Sequence, residues 1–239
     1  MFPIRDTIPS RHVPVATWLI IGVNIVVFLL ELANPAPVVE QMTYLFGIVP
    51  ARYTHPEWAR SVGFPSSYWP FVTSMFLHGG WLHVIGNMWA LWIFGDNVED
   101  RMGPLRFLLF YGICGVAAGL VHLLTNTGST VPAIGASGAI AGVMAAYFIL
   151  FPRARIVAMF PIVFWPVFFE VPAFLYLGFW FFVQFFSGAT ALVSPERASG
   201  IAWWAHVGGF ATGALTFWIF IRPRARRVPH DTFSTGGIA

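Results

Sequence analysis

The residues from about Val15 to Ala33 form an apolar run with a single charge, Glu31, and about 19 residues of helix can span a bilayer. Five more apolar runs follow, from about Gly80 to Phe94, Leu105 to Leu124, Ala136 to Phe151, Pro172 to Phe186 and Ile201 to Ile221. This pattern predicts an all-α membrane protein, a bundle of six transmembrane helices. The chain is 57% hydrophobic and only 10% charged, against about a quarter charged in ordinary soluble domains. Several runs are short, which suits helices buried among neighbours or a thinned bilayer. The stretch from Arg155 to Glu170 is apolar but interrupted by Pro161 and Pro166, so an interfacial or re-entrant segment is expected there.

The arginines set an orientation. With the N-terminus inside, Arg5, Arg11, Arg101, Arg106, Arg153, Arg155, Arg222, Arg224, Arg226 and Arg227 all fall inside, leaving Arg52, Arg60 and Arg197 outside. That bias requires an even number of crossings, so both termini are expected in the cytoplasm. The predicted organisation is a cytoplasmic tail over 1–14, a six-helix membrane domain over 15–221 and a basic cytoplasmic tail over 222–239. No small-x-small cleavage site follows the first run, so it reads as an uncleaved anchor. Residues from about Asn34 to Pro70 carry Tyr44, Phe46, Tyr53, Trp58, Phe64, Tyr68 and Trp69, the profile of an interfacial loop between helices 1 and 2.

Several functions are disfavoured. One cysteine, Cys114 in an apolar run, cannot build a disulfide framework and reads as a packing residue. No His-Glu-x-x-His or paired-aspartate motif occurs in the runs, so neither metal nor cofactor is expected. The small basic excess gives no reason to expect nucleic acid as a partner.

Polar residues recur at one level. In the predicted orientation the second, fourth and sixth spans run inward from the outer face. His78 and His83 stand at the start of the second, Ser137 at the start of the fourth and His206 shortly into the sixth. Polar side chains are costly in hydrocarbon, so their agreement in depth points to a site. A serine hydroxyl becomes a nucleophile when a base takes its proton, and imidazole suits that task near neutral pH. Ser137 near a helix N-terminus offers a backbone N–H free of intrahelical partners for a developing oxyanion. His83 and Asn87 are four apart and share a helix face. His78, five before His83, is expected to point elsewhere and brace the outer end. Gly135 and Gly138 flank Ser137 and permit a close helix approach.

The segments His78-Gly79-Gly80-Trp81-Leu82-His83-Val84-Ile85-Gly86-Asn87, Gly135-Ala136-Ser137-Gly138 and Ala205-His206-Val207-Gly208-Gly209, in this order, resemble the rhomboid family of intramembrane serine proteases. The resemblance runs from Val15 to Ile221. It implies a Ser137–His206 catalytic dyad without an acidic third member, and an oxyanion hole from the Ser137 N–H with the His83 and Asn87 side chains. It also implies transmembrane protein substrates cut near the outer leaflet through an acyl-enzyme. Glu99 to Gly103 resembles the family's short inner turn. Two positions depart from the pattern: Pro70 follows Trp69 where members often carry arginine, and Ser74 replaces a histidine often found one turn before His78.

Each feature also has a plainer reading. Gly-Ala-Ser-Gly alone is a packing patch, His206 alone a hydrogen-bonded core histidine, and His83 with Asn87 an interhelical pair. Their joint order and depth favour catalysis. His122 reads as structural or interfacial, and Asn24 and Gln184 as interhelical hydrogen-bonding groups, with substrate binding as the alternative for these two. The spacing of Ala205, Gly209 and Gly213 lets the sixth span pack closely on the fourth, with dimerisation as the less favoured use. The rival functions are a non-catalytic relative that binds transmembrane clients, and a transporter, which would need inverted repeats and mid-bilayer charges. A bacterial plasma membrane is the simplest expected location, with the lipid bilayer and transmembrane substrates as partners.

Overall fold

A computed structural model of the chain describes residues 2–162, 165–193 and 201–222. Helices occupy the apolar runs: α1 Val15–Ala33, α6 Trp81–Met102, α7 Pro104–Thr125, α8 Ser137–Leu150, α9 Ala173–Val193 and α10 Trp203–Phe220. Short helices fill the long loop after α1: α2 Ala36–Phe46, α3 Pro50–Thr54, α4 Pro56–Ser61 and α5 Pro70–Thr73. Pro50, Pro56, Pro70 and Pro104 each take the first helical position, where the missing N–H costs nothing. Among the described residues, α1, α7 and α9 are long and apolar enough to cross a membrane, and α8 is a shorter apolar helix.

α8 is the axis of the bundle. Every residue from Gly138 to Tyr147 is buried, as expected for a helix apolar on all sides. Glycines let its neighbours approach at backbone distance. A Cβ on Gly209 of α10 would run into the Gly138 carbonyl, and one on Gly213 into the Gly142 carbonyl. The fully buried Cys114 of α7 fills the space beside Gly142 on the third side.

The start of α1 and the end of α6 are tied by carboxylates. α1 has Pro14 at its N-cap and no side-chain cap of its own. Glu99 supplies one from α6, accepting from the Ala16 N–H at 2.9 Å, and from the Thr17 N–H and hydroxyl at 2.8 Å each. Asp100 does the same for the preceding loop, accepting from the Arg11 and His12 N–H groups at 2.6 and 3.0 Å. The inner turn expected from Glu99 to Gly103 is therefore mostly helix. Only Gly103, at φ +80°, turns the chain into α7.

The expectation of an all-α protein is corrected. Strands β1 Phe2–Asp6, β2 Arg155–Ile162 and β3 Trp165–Pro172 form an antiparallel sheet in the order β1-β2-β3. Pro161 and Pro166, which argue against a helix, are paired near the end of β2 and the start of β3. There an absent N–H is tolerated. The β-branched residues between Arg155 and Val171 favour the extended chain on either side. Residues 2–6, expected as part of a free tail, pair with β2 from Phe2↔Met159 to Asp6↔Ile156. This N-terminal segment lies along α6: the Trp89 Nε1–H donates to the Pro3 carbonyl at 2.6 Å and the Asn97 amide to Asp6 at 2.9 Å. The Tyr147 hydroxyl of α8 also donates to Asp6, at 2.6 Å. Burial raises the Asp6 carboxyl above the ordinary aspartate range, and the Tyr147 hydrogen bond opposes that rise. Arg224, Arg226, Arg227 and Arg197, used in the orientation argument, lie outside the described residues, as does the basic tail beyond Arg222.

The loop between α1 and α6 is pinned by a buried guanidinium. Arg52 donates to the Pro65 carbonyl at 2.6 Å and to the Leu45 carbonyl at 3.1 Å, and lies against the Tyr53 and Phe64 rings. Pro70, which departs from the family pattern, starts α5 instead. An isolated bridge between Ile48 and Ala133 joins this loop to the one before α8. Asn24 differs from expectation: its amide donates to Ile20 O of its own helix at 2.8 Å, and no interhelical partner is found among the described residues.

Candidate active site

Ser137 is the first residue of α8, and the turn before it is shaped by Gly135. Gly135 sits at φ +122°, a conformation that favours glycine, and its N–H donates to the Ser74 carbonyl at 2.8 Å. Ser74, the second departure from the family pattern, is buried and holds this turn through its backbone. A Cβ on Gly135 would lie 2.6 Å from His83 Nε2 and 3.6 Å from Asn87 Nδ2. The two α6 side chains therefore close directly over the peptide that leads into Ser137.

His206 reaches Ser137 from α10. Its Nε2 is 2.7 Å from Ser137 Oγ, and its Nδ1 is 2.7 Å from Gln184 Oε1 of α9. The ring is flanked by Trp180, 5.9 Å away between centroids and tilted by 32°, and by Trp203 at 6.3 Å and nearly perpendicular. Gln184 was expected to bond between helices, but sequence reasoning did not identify His206 as its partner. The signal was present in outline: Gln184 is the sole carboxamide in α9, and α9 carries no charge.

His78 does not point away from the site. The helix starts at Trp81, so His78 lies in the extended approach before it and folds back across Gly79-Gly80, with Gly80 at φ +152°. Its ring is 5.0 Å from the His83 ring, and its Nε2 accepts from the Asn87 amide at 2.9 Å. Burial, with the His83 ring beside it, lowers His78 to about 4. It is neutral at physiological pH, as an accepting Nε2 requires. The backbone N–H of His78 donates to the Glu31 carboxylate of α1 at 3.2 Å. Glu31 thus holds the backbone at His78 while the His78 ring holds Asn87, two supports of the site that the sequence does not reveal. The amide of Asn87 keeps one N–H free.

A cavity of about 600 Å³ opens onto these groups. Ser137, His206, Asn87 and Gln184 line its polar end. Leu82, Ile85 and Trp89 of α6, Tyr176 and Trp180 of α9, and Phe2 to Ile4 of β1 make the rest apolar. His83 lies over Gly135 and is not part of the cavity wall. Gly138 and Gly209 do not face the cavity and act through the α8–α10 contact. His122, buried on α7, accepts a long 3.3 Å contact from Asn126 and lines a small gap on the other side of Ser137. No cluster that could hold a metal ion is found among the described residues.

A Rhomboid domain matches residues 65–223, well over half of the chain and the part that contains Ser137, His206, His78, His83, Asn87 and Gln184. The chain belongs to the rhomboid family. It is 30% identical over 151 residues to Rhomboid protein 1, mitochondrial, of Saccharomyces cerevisiae, covering 62% of this chain and 40% of that one. It is 32% identical over 168 residues to RHOMBOID-like protein 12, mitochondrial, of Arabidopsis thaliana, covering 63% and 46%. It is 35% identical over 154 residues to Presenilin-associated rhomboid-like protein, mitochondrial, of Mus musculus, covering 60% and 36%. The rhomboid chain spans less than half the length of these relatives. It is a membrane protein, but relatives named as mitochondrial lend no support to the bacterial plasma membrane expected from sequence.

Proposed function

We propose that this rhomboid protein is an intramembrane serine endopeptidase that cuts transmembrane proteins near the outer leaflet. The observation that carries the reading is the 2.7 Å approach of His206 Nε2 to Ser137 Oγ at the head of a buried helix. His206 takes the hydroxyl proton as Ser137 Oγ attacks a peptide carbonyl. The oxyanion is met by the Ser137 N–H, the free Asn87 amide N–H and the His83 ring, all directed at the same turn. His206 then protonates the leaving amine, and a water deprotonated by the same imidazole hydrolyses the acyl-enzyme. Asn87 is aimed by His78, and His78 by Glu31.

The membrane arrangement belongs to the same proposal. The helices on all six apolar runs cross the bilayer, the loop over α2–α5 rests at the outer interface, and both ends of the domain face the inner side, as the arginine distribution favours. The 14 residues of α8 extend about 21 Å at 1.5 Å per residue, short of a hydrocarbon core of about 30 Å. With its inner end at the inner boundary, Ser137 lies about 10 Å below the outer one. The cavity between α6 and α9 then admits an unwound substrate segment from the side.

The test is cleavage of a single-span transmembrane substrate by the full chain in proteoliposomes. The wild-type protein is expected to release a fragment cut near the outer end of the span, and Ser137→Ala none. Binding of the substrate without cleavage by well-folded wild-type protein would instead support the client-binding reading.

A further inference from the structure

Within the protease reading above, one neighbour of His206 has a role that neither the dyad nor the oxyanion hole explains. Gln184 is buried on α9, with Oε1 2.7 Å from His206 Nδ1. We propose that Gln184 is a positioning residue: it fixes the tautomer of His206 that can accept the proton of Ser137.

An amide oxygen can only accept a hydrogen bond, so the hydrogen between these two groups belongs to Nδ1. A neutral imidazole has one N–H, which leaves Nε2 with its lone pair exposed. Nε2 is the atom 2.7 Å from Ser137 Oγ, so the hydroxyl donates to it. With the hydrogen on Nε2 instead, the serine would face a donor and the base would be unable to act. The ring has little freedom to turn away. Trp180, one helical turn before Gln184, flanks the imidazole at 5.9 Å, and Trp203 meets it edge-on. One face of α9 thus supplies both a wall for the ring and an acceptor for its far nitrogen.

The choice of a neutral amide fits the surroundings. No charged residue occurs in α9, and His206 is the sole titratable residue of α10. A carboxylate beside Nδ1 would be a buried charge in an apolar helix with no cation on either element to match it. When His206 takes the serine proton, Nδ1–H still points at the Gln184 oxygen, whose dipole favours the imidazolium without a net charge in the resting state.

The experiment uses the full chain in lipid with ¹⁵N-labelled histidine, assigning the His206 nitrogens by their loss in His206→Ala. The wild-type protein is expected to carry the hydrogen on Nδ1 and a bare Nε2. In Gln184→Leu, similar in size but unable to accept, the hydrogen is expected to move partly or wholly to Nε2. Fluorophosphonate labelling of Ser137 should then slow at least about tenfold. A wild-type ring protonated on Nε2 overturns the proposal whether or not the variant folds. So does a Gln184→Leu protein with unchanged nitrogen signals and labelling rate. A wild-type protein with bare Nε2 that takes no label would keep the tautomer assignment and overturn the protease reading instead.

Discussion

Replacing His206 with alanine is expected to slow peptide cleavage by about 10⁴- to 10⁶-fold, and replacing Ser137 with alanine by a similar factor. The two side chains share one proton across 2.7 Å, so neither works without the other. Their effects should therefore not add. The double variant is expected to be no slower than either single one, measured as single-turnover cleavage in proteoliposomes. Additive losses would mean that the two residues act in separate steps, and would contradict the geometry proposed for acylation. Asn87→Ala should cost less, about 10² to 10³, because the Ser137 N–H and His83 remain.

The second large effect concerns packing. In Gly209→Val the new side chain would occupy the space of the Gly138 carbonyl, one residue beyond Ser137. Backbone cannot yield as a flexible side chain can, so α8 and α10 must separate. The expected loss is about 3 kcal/mol of stability or more, together with cleavage, because the same separation pulls His206 from Ser137. Gly213→Val meets the Gly142 carbonyl in the same way. It lies farther along the helices and should destabilise without removing all activity. Gly112→Ala is the control: nothing lies within 4 Å of its Cβ position. It should be neutral or stabilising by about 0.5–1 kcal/mol through helix propensity. Denaturant unfolding in mixed micelles measures all three. Equal stability of Gly209→Val and Gly112→Ala would contradict the close α8–α10 contact.

What the sequence revealed and what it hid follow from the range of each interaction. The helices were legible because apolar run length is a local property, and α1 has the bounds read for the first span. The second helix was read as ending near Phe94 but continues to Met102. Its last turns carry Asp96, Asn97, Glu99 and Asp100, which look like an inner loop until their partners in the N-terminal segment and α1 are known. The sheet was missed for a related reason. β1 is five residues long, and what holds it lies far away in sequence, on β2, Trp89 and Tyr147. The proline pair in the hairpin signalled a broken helix but not what replaced it.

The site divides in the same way. Ser137, His206, His83 and Asn87 were legible because each is a polar residue in an apolar context and their order matches a family. Their supports were not. Gln184 with His206, and Glu31 with His78, join segments far apart in the chain, and no period along the chain reveals which pairs meet. His78 braces the site through Asn87, but its direction differs from the one helical spacing predicts, because it precedes the helix and the Gly79-Gly80 bend decides the direction instead.

The central claim is that His206 activates Ser137, and the most direct measurement is a fluorophosphonate adduct mapped by mass spectrometry on the full chain in lipid. Modification of Ser137 is expected in the wild-type protein, and its disappearance in both Ser137→Ala and His206→Ala. Folded wild-type protein that takes no label, or an adduct on Ser137 that persists at full rate without His206, would contradict it.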